Sequence, residues 1–248
     1  MVRAPEPGNR RIKTLERVLS KHGLGSRADA RRWIEAGRVM VNRQVARDPD
    51  LWVDLDRDEV RFDGQPLTEA PRIYLLLYKP TGVLTSRVDS KGRRTVYDLL
   101  PPEVDWLVPV GRLDLDTSGL LLLTNDTTMV ERLTNPRHDV PKRYRVTASR
   151  QLSDEELERL RSGVELGDGM TRPSAVTRIH STEGNTLFEI ILREGRNRQI
   201  RRMVEALGDA VVIELVRIAI GPITIGDLEI GETRELTKKE VAMLLGGE

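Results

Sequence analysis

Residues 111–126 read GRLDLDTSGLLLLTND. The second half, Leu120–Thr124, is a short apolar run bounded by Gly119 and by Asn125-Asp126. A run of that length between breakers predicts a buried strand. The first half, Arg112-Leu113-Asp114-Leu115-Asp116, is a turn-like acidic segment, so carboxylates are presented at the rim of a core strand. A strand end is a stiffer mount for a reacting group than a loop tip. Asp114, beside Arg112, is therefore the first candidate for chemistry. The plainer alternative makes Asp114 and Asp116 turn residues, with Thr117-Ser118-Gly119 completing the bend.

Working outward toward the N-terminus, Leu107–Val110 delivers the chain to this loop, and residues 93–100 predict a short helix stopped by Pro101 and Pro102. Ile73–Tyr78 predicts another core strand, ending in the turn Lys79-Pro80-Thr81-Gly82. Toward the C-terminus, Thr127–Leu133 predicts a helix broken at Asn135-Pro136. Lys142–Val146 alternates, which places Tyr144 on one strand face with Lys142 and Val146. Ser153 and Glu156 form a capping box for a helix to Ser162, and residues 163–173 read as a loop. Ala175–His180 and Thr186–Leu192 predict paired strands about the turn Glu183-Gly184-Asn185. From Gln199 a helix keeps Ile200, Met203, Val204 and Leu207 inward, with Arg198, Arg201, Arg202 and Glu205 on another face. Val211–Ile220 predicts a last core strand, and 236–245 a closing helix.

The first fifth of the chain differs in character. Residues 1–10, with Pro5, Pro7 and Gly8, predict a disordered leader. Leu15, Val18 and Leu19 fall at helical spacing, and Ser26 with Asp29 boxes the start of a second helix that buries Ala30, Trp33 and Ile34. Small strands carrying Val39, Val41, Val45, Val53, Val60 and Phe62 follow, turning at Asn42-Arg43 and Asp63-Gly64. Arginines crowd this stretch, while the 248-residue chain carries a net charge of only +1. That local excess is an electrostatic footprint for phosphate. A polar, proline-flanked stretch at 66–72 marks a domain boundary.

Cysteine is absent, which excludes a disulfide framework, a thiolate nucleophile and cysteine-ligated metal. His22, His138 and His180 lack metal-ligand spacing. No apolar run is long enough to cross a bilayer, and a cytoplasmic monomer is the simplest expectation.

Several strings carry a resemblance to a known family. Arg-Leu-Asp followed by Thr-Ser-Gly-Leu and the leucine strand, KPTGVLTS at 79–86, and EGRNRQIRRM at 194–203 together resemble the RsuA/RluB family of ribosomal RNA pseudouridine synthases, closest to the RluB type. GLGSRADARRWIEAGRVMVN at 23–42 resembles the S4-type RNA-binding module. The resemblance implies an α+β architecture: a small S4-like α/β RNA-binding domain over residues 11–70, then a pseudouridine synthase catalytic domain over 71–248 with a mixed, mainly antiparallel central sheet flanked by helices. It implies an isomerase that converts a specific uridine of ribosomal RNA, large-subunit RNA rather than small, to pseudouridine. Asp114 maps onto the essential aspartate and Tyr144 onto the tyrosine that stacks on an extruded base. Arg201 maps onto the basic residue paired with that aspartate, with Arg196 as the competing choice, and Leu215 onto an apolar neighbour. For RNA contact it points to Arg27, Arg31, Arg32, Arg38 and Arg43 in the first module, and to Arg112, Arg196 and Arg198 in the second domain.

Such a reaction needs no cofactor and no metal, in keeping with a chain that shows no nucleotide-binding loop. The partner expected is ribosomal RNA or an assembly intermediate. Two other readings stay open at this point: a ribosome-assembly RNA-binding protein without essential activity, and a glycosidase using Asp114 and Asp116 as paired carboxylates, for which the 4% aromatic content offers few sugar platforms.

Overall fold

The computed structural model describes residues 12–68, 71–102, 104 and 106–247; the leader expected over 1–10 lies outside the described residues. The chain divides into two compact units, the first running to Ile73 and including Pro102–Val108 and Thr124–Thr127, the second holding the remainder.

In the first unit, strand β1 (Ile12–Thr14) leads into helix α1 (Leu15–Lys21), and Ser26 with Asp29 closes the capping box that starts α2 (Arg27–Glu35). Five short strands follow: β2 (Val39–Val41), β3 (Gln44–Ala46), β4 (Trp52–Asp54), β5 (Val60–Phe62) and β6 (Gln65–Pro66). They form a four-stranded sheet ordered β3-β2-β5-β6 and a separate β1-β4 pair. The turn signals hold for a backbone reason. Asn42 and Arg43 take φ of 49° and 67°, and Asp63 and Gly64 take 47° and 79°. Two successive positive φ values give the turn whose twist matches a hairpin. Leu15, Val18, Leu19, Ala30, Ile34 and Val39 are buried together as the core of this unit.

The second unit is built on a mixed sheet. Its strands are β7 (Tyr74–Lys79), β8 (Val108–Pro109), β9 (Ser118–Thr124), β10 (Lys142–Ala148), the small pair β11 (Glu165–Leu166) and β12 (Gly169–Met170), β13 (Ala175–Ser181), β14 (Thr186–Leu192), β15 (Val212–Ile220), β16 (Ile223–Thr224) and β17 (Thr233–Glu235). The order is β13-β14-β10-β15-β9-β7-β17, with β16 on β15 and β8 on β9. Most pairings are antiparallel, whereas β15 and β9 run parallel with Val216 opposite Ser118 and Arg217 opposite Gly119. Among the described residues its α-helices are α3 (Thr127–Thr134), α4 (Asp154–Ser162), α5 (Gln199–Glu205) and α6 (Lys238–Leu245).

The leucine run is wholly buried along β9, as its composition requires. Leu120 and Leu122 join one hydrophobic cluster with Leu76, Met129 and Ile220. A second cluster gathers Val146, Leu157, Phe188, Ile190, Ile200, Met203 and Leu215. Two expectations change. The helix read over 93–100 contracts to a single 3-10 turn, Val96–Leu99. The loop read over 163–173 contains the β11-β12 hairpin, whose strands are too short to show periodicity.

Candidate active site

Asp114 sits in the turn between β8 and β9, where the Thr117 amide donates to the Asp114 carbonyl at 3.1 Å. This turn is held from behind by the segment after β7. The Thr85 hydroxyl donates to the Leu113 carbonyl at 2.9 Å, and the Gly82 amide donates to Leu115 O at 2.8 Å. Lys79, fully buried, donates its ammonium to the carbonyls of Pro80 at 2.9 Å and Thr117 at 2.8 Å. Burial pulls Lys79 down from 10.5 to about 8, against the opposing pull of Asp116 and Asp114. The residues of KPTGVLTS therefore act as a brace that fixes the aspartate loop.

The opposite side of the loop is clamped by the basic helix. Arg198, at the N-cap of α5 with φ 48°, donates both terminal nitrogens to the Asp116 carboxylate at 3.0 and 2.9 Å. Arg201, 6% exposed, donates to the Val212 carbonyl at 3.0 Å and to the Asp116 backbone carbonyl at 2.8 Å. Its Nε lies 3.2 Å from Asp116 Oδ2 but outside hydrogen-bonding direction, so that contact is an ion pair alone. Hydrogen bonds from Arg198 hold the Asp116 carboxyl below its usual range; burial opposes this, and the charges of Arg201 and Arg198 reinforce it. The expected pairing thus moves by two residues. Arg201 grips Asp116, and among the described residues no ion pair within 4 Å reaches Asp114. Arg196, the competing choice, donates instead to the carbonyls of Gly169 at 2.7 Å and Met170 at 2.6 Å, bracing the β11-β12 turn. With Asp116 committed to two guanidinium groups, the second carboxylate that a glycosidase needs is occupied.

Asp114 opens into a cavity of about 460 Å³ lined also by Arg112, Lys142, Tyr144, Leu215 and Arg217. That size lies within the range of about 300–1,000 Å³ usual for small-molecule sites. Tyr144 on β10 stands opposite Arg217 on β15 in the antiparallel ladder, so the two side chains share a face. Tyr144 is half-buried and packs on the larger core cluster. Lys142 shares the Tyr144 face and donates to the Val140 carbonyl at 3.2 Å; burial first, then the neighbouring positive charge of Arg217, lowers its proton affinity, while Asp139 opposes.

Of the site residues read from the sequence, Asp114, Tyr144, Arg112, Arg196, Arg198 and Leu215 line this one cavity. Arg201 stands behind it as a clamp. Four cations were missed: Lys142 and Arg193, which line the cavity, Lys79, whose burial no local pattern announces, and Arg217, set in an apolar strand where a lone arginine could have raised the question. Among the described residues no group of three His, Asp or Glu is placed to hold a metal.

In the first unit, four of the five nominated arginines have carboxylate partners. Arg27 and Arg31 converge on Glu16, which is 1% exposed, and Arg31 also reaches Asp50 at 2.6 Å. Burial alone would raise the Glu16 carboxyl, but these two arginines outweigh it and hold it below its usual value. Arg32 pairs with Asp29, and Arg38 pairs with Asp63 while lying over the rings of Trp33 and Phe62 at 5.6 and 4.8 Å. Arg43, on the β2-β3 turn, is exposed.

Comparison with known proteins identifies relatives of this chain. Residues 73–206 match the family model for RNA pseudouridylate synthase, and residues 14–57 match the S4 domain. An uncharacterized RNA pseudouridine synthase of Aquifex aeolicus is 38% identical over 231 residues, covering 93% of this chain and 92% of the relative. The ribosomal large subunit pseudouridine synthase B of Bacillus subtilis is 35% identical over 235 residues, covering 94% and 96%. A crystal structure of a pseudouridylate synthase superposes with a TM-score of 0.67 at 30% identity, covering 94% of this chain and 99% of that one.

Proposed function

Since the chain belongs to the RNA pseudouridylate synthase family and carries an S4 domain, we propose that it isomerises one specific uridine of large-subunit ribosomal RNA, with Asp114 as the reacting carboxylate. The observation that carries this reading is the meeting of Asp114 and Tyr144 in one cavity lined by Arg112, Lys142, Arg198 and Arg217. A single reacting carboxylate in a cationic cleft suits an anionic polymer whose base enters the cavity. The large-subunit choice is supported by the name of the Bacillus subtilis relative. The division of labour proposed is an S4-like module over residues 11–70 that holds RNA and a catalytic domain over 71–248.

In this mechanism the target base leaves its stack, at a cost of a few kcal/mol that is smallest in a loop or bulge. Tyr144 takes up the stacking and stands ready to help with proton abstraction, and Arg112 holds the vacated position or the backbone. The bond between ribose C1′ and uracil N1 breaks. Asp114 either adds to C1′ or assists formation of a glycal. The base turns within the cavity, and C5 bonds to C1′ as the Asp114 carboxylate leaves or the glycal regains its C2′ proton; N1 then gains a proton and C5 loses one. Arg198 and Arg201 contribute by fixing the loop through Asp116, so that Asp114 meets the sugar in one orientation.

The test is tritium release from ribosomal RNA carrying uridine labelled at C5. Wild type is expected to release tritium and Asp114→Asn to release none, with RNA affinity nearly unchanged. Release by Asp114→Asn near the wild-type rate would overturn the assignment of Asp114. Binding without release by the wild type, on every ribosomal RNA and precursor tried, would favour the assembly-factor reading.

A further inference from the structure

The most unusual side chain in the cavity is one that the mechanism above does not use. Arg217 is 2% exposed and is among the largest fully buried side chains of the molecule. Its Nε donates to the Leu120 carbonyl at 2.7 Å, whereas its Nη2 is buried with no hydrogen-bond partner. A buried cationic N–H without an acceptor is costly, and a catalytic role is one of the reasons such a group is kept. Close by, Lys142 lines the same cavity and feels the Arg217 charge. The cavity floor thus holds positive charge in excess of what the protein itself neutralises.

We propose that Arg217 is a further catalytic residue, whose guanidinium at the cavity wall donates to the uracil oxygen on which negative charge develops when the glycosidic bond breaks. This rests on the isomerase reading above. Cleavage leaves the bonding electron pair on N1, from which it spreads to O2 and O4, while C1′ is taken by the Asp114 carboxylate or passes to the glycal by losing its C2′ proton. The detached ring is then an anion held in the cavity until C5 bonds to C1′, releasing the Asp114 carboxylate on the first route or with return of the C2′ proton on the second, after which C5 gives up its proton and N1 takes one. A fixed donor in a dry site stabilises such developing charge without reorganisation.

Depth separates this role from phosphate binding. The exposed arginines lining the cavity, Arg112, Arg193 and Arg198, are the ones a backbone phosphate meets first. Arg217 is sequestered on the central strand opposite Tyr144, at the level of the residue proposed to stack on the base.

The experiment compares wild type with Arg217→Met under single-turnover conditions on two RNAs, one with uridine and one with 5-fluorouridine at the target position, following loss of the parent nucleoside after nuclease digestion. Fluorine at C5 stabilises the uracil anion chemically, so that substrate leans less on the protein. The expected result on uridine RNA is a rate lower by about 10²–10³-fold, the size of loss seen for a single oxyanion donor. RNA affinity and its salt dependence should match wild type, and the loss on 5-fluorouridine RNA should be clearly smaller. Equal losses on both RNAs would mark a structural role and overturn the proposal, as would no loss at all. Weaker affinity with a salt slope reduced by about one would assign Arg217 to a phosphate. Should circular dichroism find Arg217→Met unfolded, Arg217→Lys carries the same comparison, its deficit again expected to be larger on uridine and the proposal overturned if the deficits are equal. A wild type that converts neither RNA overturns the isomerase reading as well; an active wild type confines any failure to Arg217.

Discussion

Replacing Asp116 with alanine separates the clamp from the chemistry. Asp116→Ala removes the carboxylate bound by Arg198 at 3.0 and 2.9 Å and approached by Arg201 at 3.2 Å. Arg201 is the costly partner, because it stays buried with its charge. Truncating one member of a fully buried pair costs about 3–5 kcal/mol, while an exposed pair contributes at most about 1 kcal/mol. The Asp116 side chain is 45% exposed, and Arg201 keeps two carbonyl acceptors that alanine leaves in place. A value between those limits, about 2 kcal/mol, follows, or a fall in Tm of about 4–8 °C for a chain of this size. The brace from Thr85, Gly82 and Lys79 survives, so tritium release should fall by only about tenfold, short of the roughly hundredfold that a full 1 Å displacement can cost. Asp114→Asn should do the reverse, abolishing release while leaving Tm within about 1 °C, since it breaks no ion pair. Thermal denaturation by circular dichroism and the tritium assay, run on both variants, give four numbers. Complete loss of activity in Asp116→Ala at unchanged Tm would refute the reasoning and make Asp116 the reacting carboxylate.

Lys79 predicts a signature in alkali. Its folded pKa, lowered to about 8 from 10.5, means the unfolded chain binds more protons between those values, so stability contributed at this site rises across pH 8 to 10.5 by up to about 3 kcal/mol. Urea titrations of wild type and Lys79→Met should diverge over that window, and parallel curves would contradict it. Gly119→Ala sets a Cβ 2.3 Å from the Arg217 carbonyl oxygen at a φ of +110°; a loss of about 3 kcal/mol or more is expected in the denaturation midpoint. In the first unit, Arg27→Ala with Arg31→Ala removes two half-exposed arginines that cover Glu16, and because their loss also opens that carboxylate to water, a fall of about 1 kcal/mol is expected by denaturation. Arg43→Ala should leave stability alone and lower the salt slope of RNA binding by about one.

What could be read in the sequence followed local rules. The capping boxes at Ser26 and Ser153 mark the starts of their helices because box and helix lie within four residues. Asn42-Arg43 and Asp63-Gly64 mark hairpins because these residues accept positive φ. Burial of Leu120–Leu123 follows from composition. What stayed hidden depends on residues brought from far along the chain. The partner of Arg201 lies 85 positions away and turned out to be Asp116, two residues from the aspartate expected. Charge counting along the first module exposed an arginine excess but not that Glu16, from the preceding helix, takes up Arg27 and Arg31. The orphaned Arg217 nitrogen is a property of packing, invisible to any spacing rule.

The parallel pairing of β9 with β15 has a consequence in time. Gly119 and Arg217 are neighbours in the sheet, yet a ribosome adding about 5–20 residues per second makes them roughly 5–20 s apart. Throughout that interval the nascent aspartate loop lacks both the α5 arginines and the strand beside it, and a bare tetraleucine strand is a sticky edge. Closing so long a loop is slow even once synthesis allows it. The aspartate loop therefore stays without its clamp until the last quarter of the chain is made, and dependence on chaperones should peak before the Arg217 strand emerges.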